Sequence, residues 1–192
     1  VALKDIFGAK RVFRISMVLM VFTGLFFSIL TYLGAQWLID WHFIRDPRAY
    51  LSVVALAPAI FFVTLLASSR GYLQGWQRMT PTAVSQIVEQ IFRVITMVMF
   101  ASILLPWGLD YAAAGASFGA FAGAVTGLIV LVYFHWRLDK DIERDYGHEL
   151  KPLPGDEQAS VGKIVKRIFA LALPVSAASI MLPIVSNLDL LI

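Results

Sequence analysis

An acid and a base stand four positions apart in a stretch of the sequence that is otherwise almost free of charge. Glu89 and Arg93 have the spacing and the order that favour an ion pair on a helix. They belong to a polar stripe whose members recur at helical intervals of four and three, with Gln90 beside it: Thr82, Gln86, Glu89, Arg93 and Thr96. Such a stripe predicts either a polar binding surface or an ion pair shielded by neighbouring helices.

The elements that carry this stripe are predicted to be membrane-spanning helices. Of the 192 residues, 59% are hydrophobic and 15% are charged, which is outside the composition of a soluble domain. The uncharged gaps predict an all-α polytopic membrane protein with about five transmembrane helices, at roughly 12–38, 49–70, 80–105, 111–136 and 164–192. The third reaches the necessary length only when it includes Glu89 and Arg93, so both charges are expected inside the bilayer.

A charged side chain at the centre of a bilayer costs roughly 2.5–3.5 kcal/mol on insertion scales. We therefore expect the stripe to face the interior of the helical bundle or a water-filled cavity. Two interpretations remain open. The stripe is either the wall of a cavity that meets a polar or anionic substrate, or an internal ion pair that locks neighbouring helices together.

The distribution of lysine and arginine predicts the orientation of the chain. With the N-terminal end in the cytoplasm, thirteen of the sixteen basic residues lie on the inner side and only Arg45 and Arg48 on the outer side. We expect a multi-pass protein of the cytoplasmic membrane whose N-terminal end and loop 137–163 are cytoplasmic. This loop divides a four-helix part, 1–136, from one helix in 164–192 that Pro174 and Pro183 are expected to kink.

Four glycines follow one another at intervals of four in the fourth predicted span: Gly115, Gly119, Gly123 and Gly127. In a membrane, small residues let helix backbones approach closely and gain van der Waals contacts. This glycine ladder predicts tight helix packing within the protein, with homodimerisation as the alternative.

The sequence gives little support for thiol chemistry, metal binding or nucleic-acid binding. The chain has no cysteine, which excludes thiolate metal sites and a cysteine nucleophile, and its histidines lack the spacing of metal ligands. A formal charge of +3 in so apolar a chain does not indicate a nucleic-acid-binding protein. We expect no enzyme, no metal and no cofactor. Asn187 and Asp189 lie near the outer membrane interface if the last helix begins at Ile164, and they are a possible ion site if that helix bends or continues beyond Ile192.

The segment from Arg70 to Arg93 contains three successive patterns: R-G-x-x-Q-G, M-x-P-T-A-x-S-Q and E-Q-x-x-R. In these patterns the chain resembles the stage V sporulation protein B-like and lipid II flippase branch of the multidrug/oligosaccharidyl-lipid/polysaccharide exporter superfamily. The resemblance implies a two-lobe transporter of about fourteen helices around a central cavity, working by alternating access. It places this chain as an internal piece, with helices three to six of the first lobe and the start of the second.

The resemblance also implies a function and assigns residues to it. The expected activity is transport of an undecaprenyl-linked sugar, such as a peptidoglycan precursor, across the cytoplasmic membrane. Its partners are then the lipid bilayer, this substrate and the remaining helices of the full-length protein. Arg93 and Glu89, with Gln86, Gln90 and Thr82, are assigned to the cavity wall, and Arg70 with Gln74 to the inner gate.

Two alternative functions remain open. One is a cation-coupled multidrug exporter of the same architecture, in which Glu89 and Asp189 would be ion or proton sites. The other is a structural or assembly subunit, in which the polar stripe only binds neighbouring helices.

Overall fold

The computed structural model describes residues 6–40, 49–146, 162, 164–166, 168–176 and 179. Within them the secondary structure is helical and contains no strand. The four long helices are α1 (Ile6–Asp40), α2 (Tyr50–Gly75), α3 (Met79–Leu104) and α4 (Leu109–Tyr146). Each contains a stretch that is long and apolar enough to cross a membrane: Gly8–Trp37, Tyr50–Gly75, Met79–Trp107 and Leu109–Ile142. The predicted all-α polytopic class and the first four spans are confirmed.

Of the fifth predicted span, residues 164–166 and 168–176 are helical, and they include Pro174. Residue 179 is also described as helical, whereas the rest of 164–192 lies outside the described residues, as do residues 147–161 and 163 of the predicted loop. The proposed ion site at Asn187 and Asp189 therefore also lies outside them.

The first and the last of the four long helices, α1 and α4, are longer than the predicted spans. α1 has 35 residues and α4 has 38, so each is about 50–57 Å long at 1.5 Å per residue, whereas the hydrocarbon core is about 30 Å thick. α4 continues through 137–146, beyond the predicted end of the span at 136. Charged residues end an apolar span because water solvates their side chains well. They do not end the helix, because the backbone hydrogen bonds continue through them.

α4 is the helix around which this part of the chain is built. It packs extensively against both α2 and α3, α1 packs against α2, and α2 touches α3 directly only over a small area. The core between α2 and α4 follows intervals of seven residues, as in helices that pack nearly in parallel. Its fully or almost fully buried side chains are Leu66, Leu73, Ala124, Leu131, Leu138 and Ile142.

α1 and α2 approach each other most closely at a glycine. A Cβ at Gly24 would collide with the hydroxyl of Thr64. The Thr64 hydroxyl donates a 2.7 Å hydrogen bond to the carbonyl of Phe61 in its own helix. Close to this contact, Ser28 Oγ donates to the carbonyl oxygen of Ala57 at 2.7 Å. Gly24 is therefore required for the close packing of α1 against α2.

The turn between α2 and α3 is only three residues long. Gln77 adopts a left-handed backbone conformation with φ 57°, and its N–H donates to the carbonyl of Gln74 at 2.8 Å. Arg78 N–H donates to the carbonyl of Leu73 at 3.1 Å, so the last turn of α2 is capped by backbone groups. Such a short connection brings the end of α2 beside the start of α3.

Candidate functional site

Two arginines from different helices hold one carboxylate in the interior of this bundle. Arg70 Nη2 of α2 lies 2.6 Å from Glu89 Oε2, and Arg93 Nη2 of α3 lies 2.7 Å from Glu89 Oε1. The Glu89 side chain is 7% exposed, whereas Arg70 is 19% and Arg93 33% exposed. Each oxygen of the acid thus accepts a charge-assisted hydrogen bond. We call Arg70, Glu89 and Arg93 the arginine–glutamate network; it carries one net positive charge.

The short turn between α2 and α3 explains how Arg70 reaches this acid. Arg70 lies five residues before the end of α2, and Ser85 lies six residues after the start of α3. Arg70 Nε donates to Ser85 Oγ at 3.3 Å, and Ser85 Oγ donates to the carbonyl of Thr82 at 2.8 Å. Ser85 is fully buried. The hydroxyl therefore orients the guanidinium of Arg70 towards Glu89.

The network lies deep in the third span. Glu89 is ten residues from the start of Met79–Trp107, and Arg93 is fourteen. At 1.5 Å per residue these positions are about 15 and 21 Å along the helix, which is near the middle of a bilayer about 30 Å thick. This placement agrees with the expectation that both charges lie within a span and that the acid faces inward.

The glycine ladder of α4 packs against the turns of α3 that carry the network. A Cβ at Gly119 would come within 2.8 Å of the Arg93 carbonyl oxygen, and one at Gly123 within 2.9 Å of the Glu89 carbonyl oxygen. At Gly127 it would approach Glu89 Cβ to 3.2 Å. Gly115 lies further along, against Phe100 and Leu104. All four glycines thus lie where α4 closely approaches α3, and their role in helix packing stays a prediction.

The contact between α3 and α4 divides the predicted polar stripe into a buried part and an exposed part. Thr82, Glu89 and Thr96, seven residues apart, are buried, whereas Gln86 and Gln90 are exposed in the described part of the chain and Arg93 lies between these extremes. At about 100° per residue, Gln86 and Gln90 lie about 40° and 80° around the helix from Thr82, outside the line of contact with α4.

The far side of α3 is apolar and exposed, as expected for a surface that meets lipid. Its exposed members are Ile87, Ile91, Val94, Ile95 and Val98. The polar edge with Gln86 and Gln90 therefore lies between the buried network and this apolar surface.

The sequence did not identify Ser85, nor the pairing of Arg70 with Glu89. The structure joins Arg70 to the network. Gln74, which is expected to share a gate with Arg70, is exposed on α2 and lies four residues nearer the turn. A signal was available in the sequence, because two helices joined by a short turn bring together residues at similar distances from it.

Two polar atoms of the site remain without a hydrogen-bond partner within the described residues. They are Arg93 Nε and Thr82 Oγ1, and both atoms are buried. Among the described residues, no three His, Cys, Asp or Glu side chains are grouped as metal ligands. The site thus offers cationic and neutral donors, which suit an anionic, oxygen-rich group.

Comparison with known proteins places this geometry in a family context. The family described as polysaccharide biosynthesis protein matches residues 10–192. Stage V sporulation protein B of Bacillus subtilis (strain 168) is 33% identical over 109 residues, covering 56% of this chain and 21% of the relative. The lipid II flippase MurJ of the same organism is 28% identical over 194 residues, covering 94% of this chain and 34% of the relative.

A further relative is the uncharacterized membrane protein YabM of the same organism, which is 25% identical over 182 residues. It is matched over 94% of this chain and 32% of its own length. The chain thus spans only 21–34% of the curated relatives described here. No solved structure gives a significant match.

Proposed function

This chain belongs to the polysaccharide biosynthesis protein family, and from that premise we propose that it is part of a flippase for a lipid-linked oligosaccharide. The four apolar helices in the described part of the chain, together with its relatives, make it a multi-pass membrane protein. One relative is named a lipid II flippase. The proposed substrate class is an undecaprenyl-linked sugar, such as a peptidoglycan precursor, carried across the cytoplasmic membrane with the N-terminal end of this chain inside.

The observation that carries this proposal is the excess positive charge of the arginine–glutamate network. Glu89 neutralises one of its two arginines, so among the residues that the structure describes one positive charge is left near mid-membrane depth. An unbalanced buried charge is costly. A lipid-linked sugar carries a diphosphate, and this anion would balance the charge during transport.

Arg93 is the residue best suited to contact such a headgroup. It is the more exposed of the two arginines, at 33% against 19% for Arg70, and its Nε has no partner within the described residues. Gln86 and Gln90 are exposed beside it and present amides that hydrogen-bond to sugar hydroxyls. Amides on a transmembrane helix fit a water-filled cavity much better than hydrocarbon.

The mechanism needs no covalent chemistry. Two helical lobes would rock about the central cavity, and the lipid tails would remain in the bilayer. α4 and its glycine ladder hold α3 as part of one rigid lobe, so the cavity wall moves as a unit. Arg70 ties the end of α2 to the same wall through Glu89. The gate role of Arg70 with Gln74 stays a prediction.

The geometry favours this reading over a cation-coupled exporter. Both oxygens of Glu89 already accept hydrogen bonds from arginines, so a cation would have to compete with two guanidinium groups for the carboxylate. An exporter would instead need an acid that is free to exchange its ion during each cycle.

Transport by the full-length protein in vesicles tests the proposal. Arg93→Ala should lower the rate of flipping of a labelled undecaprenyl-linked sugar about tenfold or more, the effect of losing one charge-assisted hydrogen bond. Arg93→Lys should restore part of it. Arg144→Ala is the matched control, since Arg144 is an exposed arginine outside the network.

Wild-type flipping by Arg93→Ala would exclude the proposed role of this arginine. Efflux of a drug driven by a proton gradient, without flipping of the lipid-linked sugar, would identify an exporter instead.

A further inference from the structure

A second polar site lies at the end of the bundle where α1 begins and α2 ends. A cavity of about 310 Å³ there is lined by side chains from three helices: Lys10, Phe13, Arg14, Tyr72, His135 and Asp139. The site is separate from the arginine–glutamate network, whose residues line neither this cavity nor the groove beside it. Its residues lie within about two turns of the ends of three candidate spans, the depth at which lipid headgroups meet a membrane protein.

The charges of this cavity do not cancel. Lys10 Nζ lies 2.8 Å from Asp139 Oδ1, and His135 Nε2 lies 3.6 Å from Asp139 Oδ2. The single acid is thus neutralised by Lys10. Arg14 is exposed, and no ion pair for it occurs within the part of the chain that the structure describes. The cavity therefore presents a net positive charge to an anion.

An apolar groove between α1 and α2 adjoins this cavity. It has a volume of about 520 Å³ and shares Phe13 and Tyr72 with the basic cavity. The rings of these two residues are 4.3 Å apart between centroids and form the common wall. On α2 the groove is lined by small residues, and a Cβ at Gly71 or Gly75 would meet nothing within 4 Å. The groove thus has room for a hydrocarbon chain.

Two hydrogen-bond donors lie beside these cavities, the hydroxyl of Tyr72 and the indole Nε1 of Trp76. Both atoms are buried, and apart from the interaction of the two side chains with each other neither has a partner within the described residues. Tyr72 lines both cavities, and Trp76 lines the apolar groove. A buried donor without a strong partner is unfavourable, so an oxygen-rich group bound here would be favoured.

We infer that the basic cavity and the apolar groove together bind one anionic phospholipid. Its phosphate would lie near Arg14 and Lys10, and one acyl chain would lie along Gly71 and Gly75. A free anion explains the basic cavity but not the apolar groove that adjoins it. A zwitterionic lipid explains the groove but not the excess positive charge. Basic pockets between transmembrane helices are suited to anionic headgroups.

Lipid binding to the purified full-length protein tests this site. Native mass spectrometry compares phosphatidylglycerol with phosphatidylethanolamine of the same acyl chains, and glycerol phosphate serves as the probe without a chain. We expect preferential retention of phosphatidylglycerol. Arg14→Gln should weaken its binding about fivefold, the effect of one basic residue at a membrane surface.

Two further variants separate the headgroup from the chain. Gly71→Leu places a side chain in the open groove and should weaken phosphatidylglycerol binding while the protein stays folded, because its Cβ meets no neighbour. Arg144→Gln removes an exposed charge that lines neither cavity and should leave binding unchanged.

Three results would overturn the inference. Equal retention of the two lipids would show that the positive charge does not select the anionic lipid over the zwitterionic one. Equal losses with Arg14→Gln and Arg144→Gln would indicate general surface attraction. Binding of glycerol phosphate as tight as that of the lipid, with no effect of Gly71→Leu, would indicate a soluble anion as the ligand. None of these results depends on whether the protein flips a lipid-linked sugar.

Discussion

Gly123 of α4 lies directly against the backbone of Glu89 in α3. A Cβ at Gly123 would come within 2.9 Å of the Glu89 carbonyl oxygen and equally close to the Cβ of Arg93. The residue that lets the two helices approach thus lies at the same level as the acid that holds two arginines. Close backbone packing and the buried charge are parts of one arrangement, since α4 covers Glu89 from water and lipid.

Gly123→Ala should therefore destabilise the protein, although alanine usually favours a helix over glycine. The added methyl group cannot be accommodated without moving α4 away from α3. We expect a loss of about 1–3 kcal/mol, the usual effect of overpacking a core. The measurement is thermal unfolding of the full-length protein in detergent. Gly34→Ala is the matched control, because a Cβ there meets nothing within 4 Å; equal melting temperatures of the two variants would contradict the packing role.

The ion pair between Arg70 and Glu89 should show strong energetic coupling. In a double-mutant cycle of Arg70→Gln and Glu89→Gln, we expect a coupling energy of about 1–3 kcal/mol, because Glu89→Gln leaves Arg70 buried without an acid and Arg70→Gln removes one of the two arginines that hold Glu89. The same unfolding measurement gives the four stabilities. The reference cycle uses Arg78→Gln and Asp141→Asn, an exposed pair at 3.9 Å, for which about 0.5 kcal/mol or less is expected. Similar coupling in both cycles would show that burial does not strengthen the inner pair.

Replacing Glu89 by Gln and Arg93 by Leu together distinguishes a substrate contact from a structural ion pair. The double variant removes both charges of this pair and leaves Arg70 without an acid, so Glu89→Gln, which leaves Arg70 in the same situation, is the matched control for stability. We expect its transport of the lipid-linked sugar in vesicles to fall about as far as that of Arg93→Ala. Transport close to that of the wild type would favour the structural or assembly subunit.

The spans could be predicted from the sequence because the apolar length of a helix is a property of the segment itself. The same holds for the glycine ladder, whose regular spacing places all four glycines on one face whatever the partner is. The end of α4 was not predictable in this way. Residues 137–146 are charged, yet they continue the helix, since solvation of side chains and helix formation are separate properties.

Which side chains meet was harder to predict. The stripe from Thr82 to Thr96 is one face by periodicity, but only its members at intervals of seven are buried, because the contact line with α4 is narrower than the stripe. Ser85 carries no charge and escaped notice, and its role depends on Arg70 in another helix. Such pairings depend on how the helices pack together and not on one segment alone.

The most direct test of the account is the accessibility of position 93 to water. The chain has no native cysteine, so Arg93→Cys in a full-length protein without other cysteines gives a single labelling site, and Ile95→Cys on the exposed apolar side of α3 gives its control. We predict that a membrane-impermeant thiol reagent labels position 93 in at least one state of the transport cycle and leaves position 95 unlabelled. Protection of position 93 from that reagent in every state, with reaction only towards a lipid-soluble reagent, would contradict the water-filled cavity and the transport role built on it.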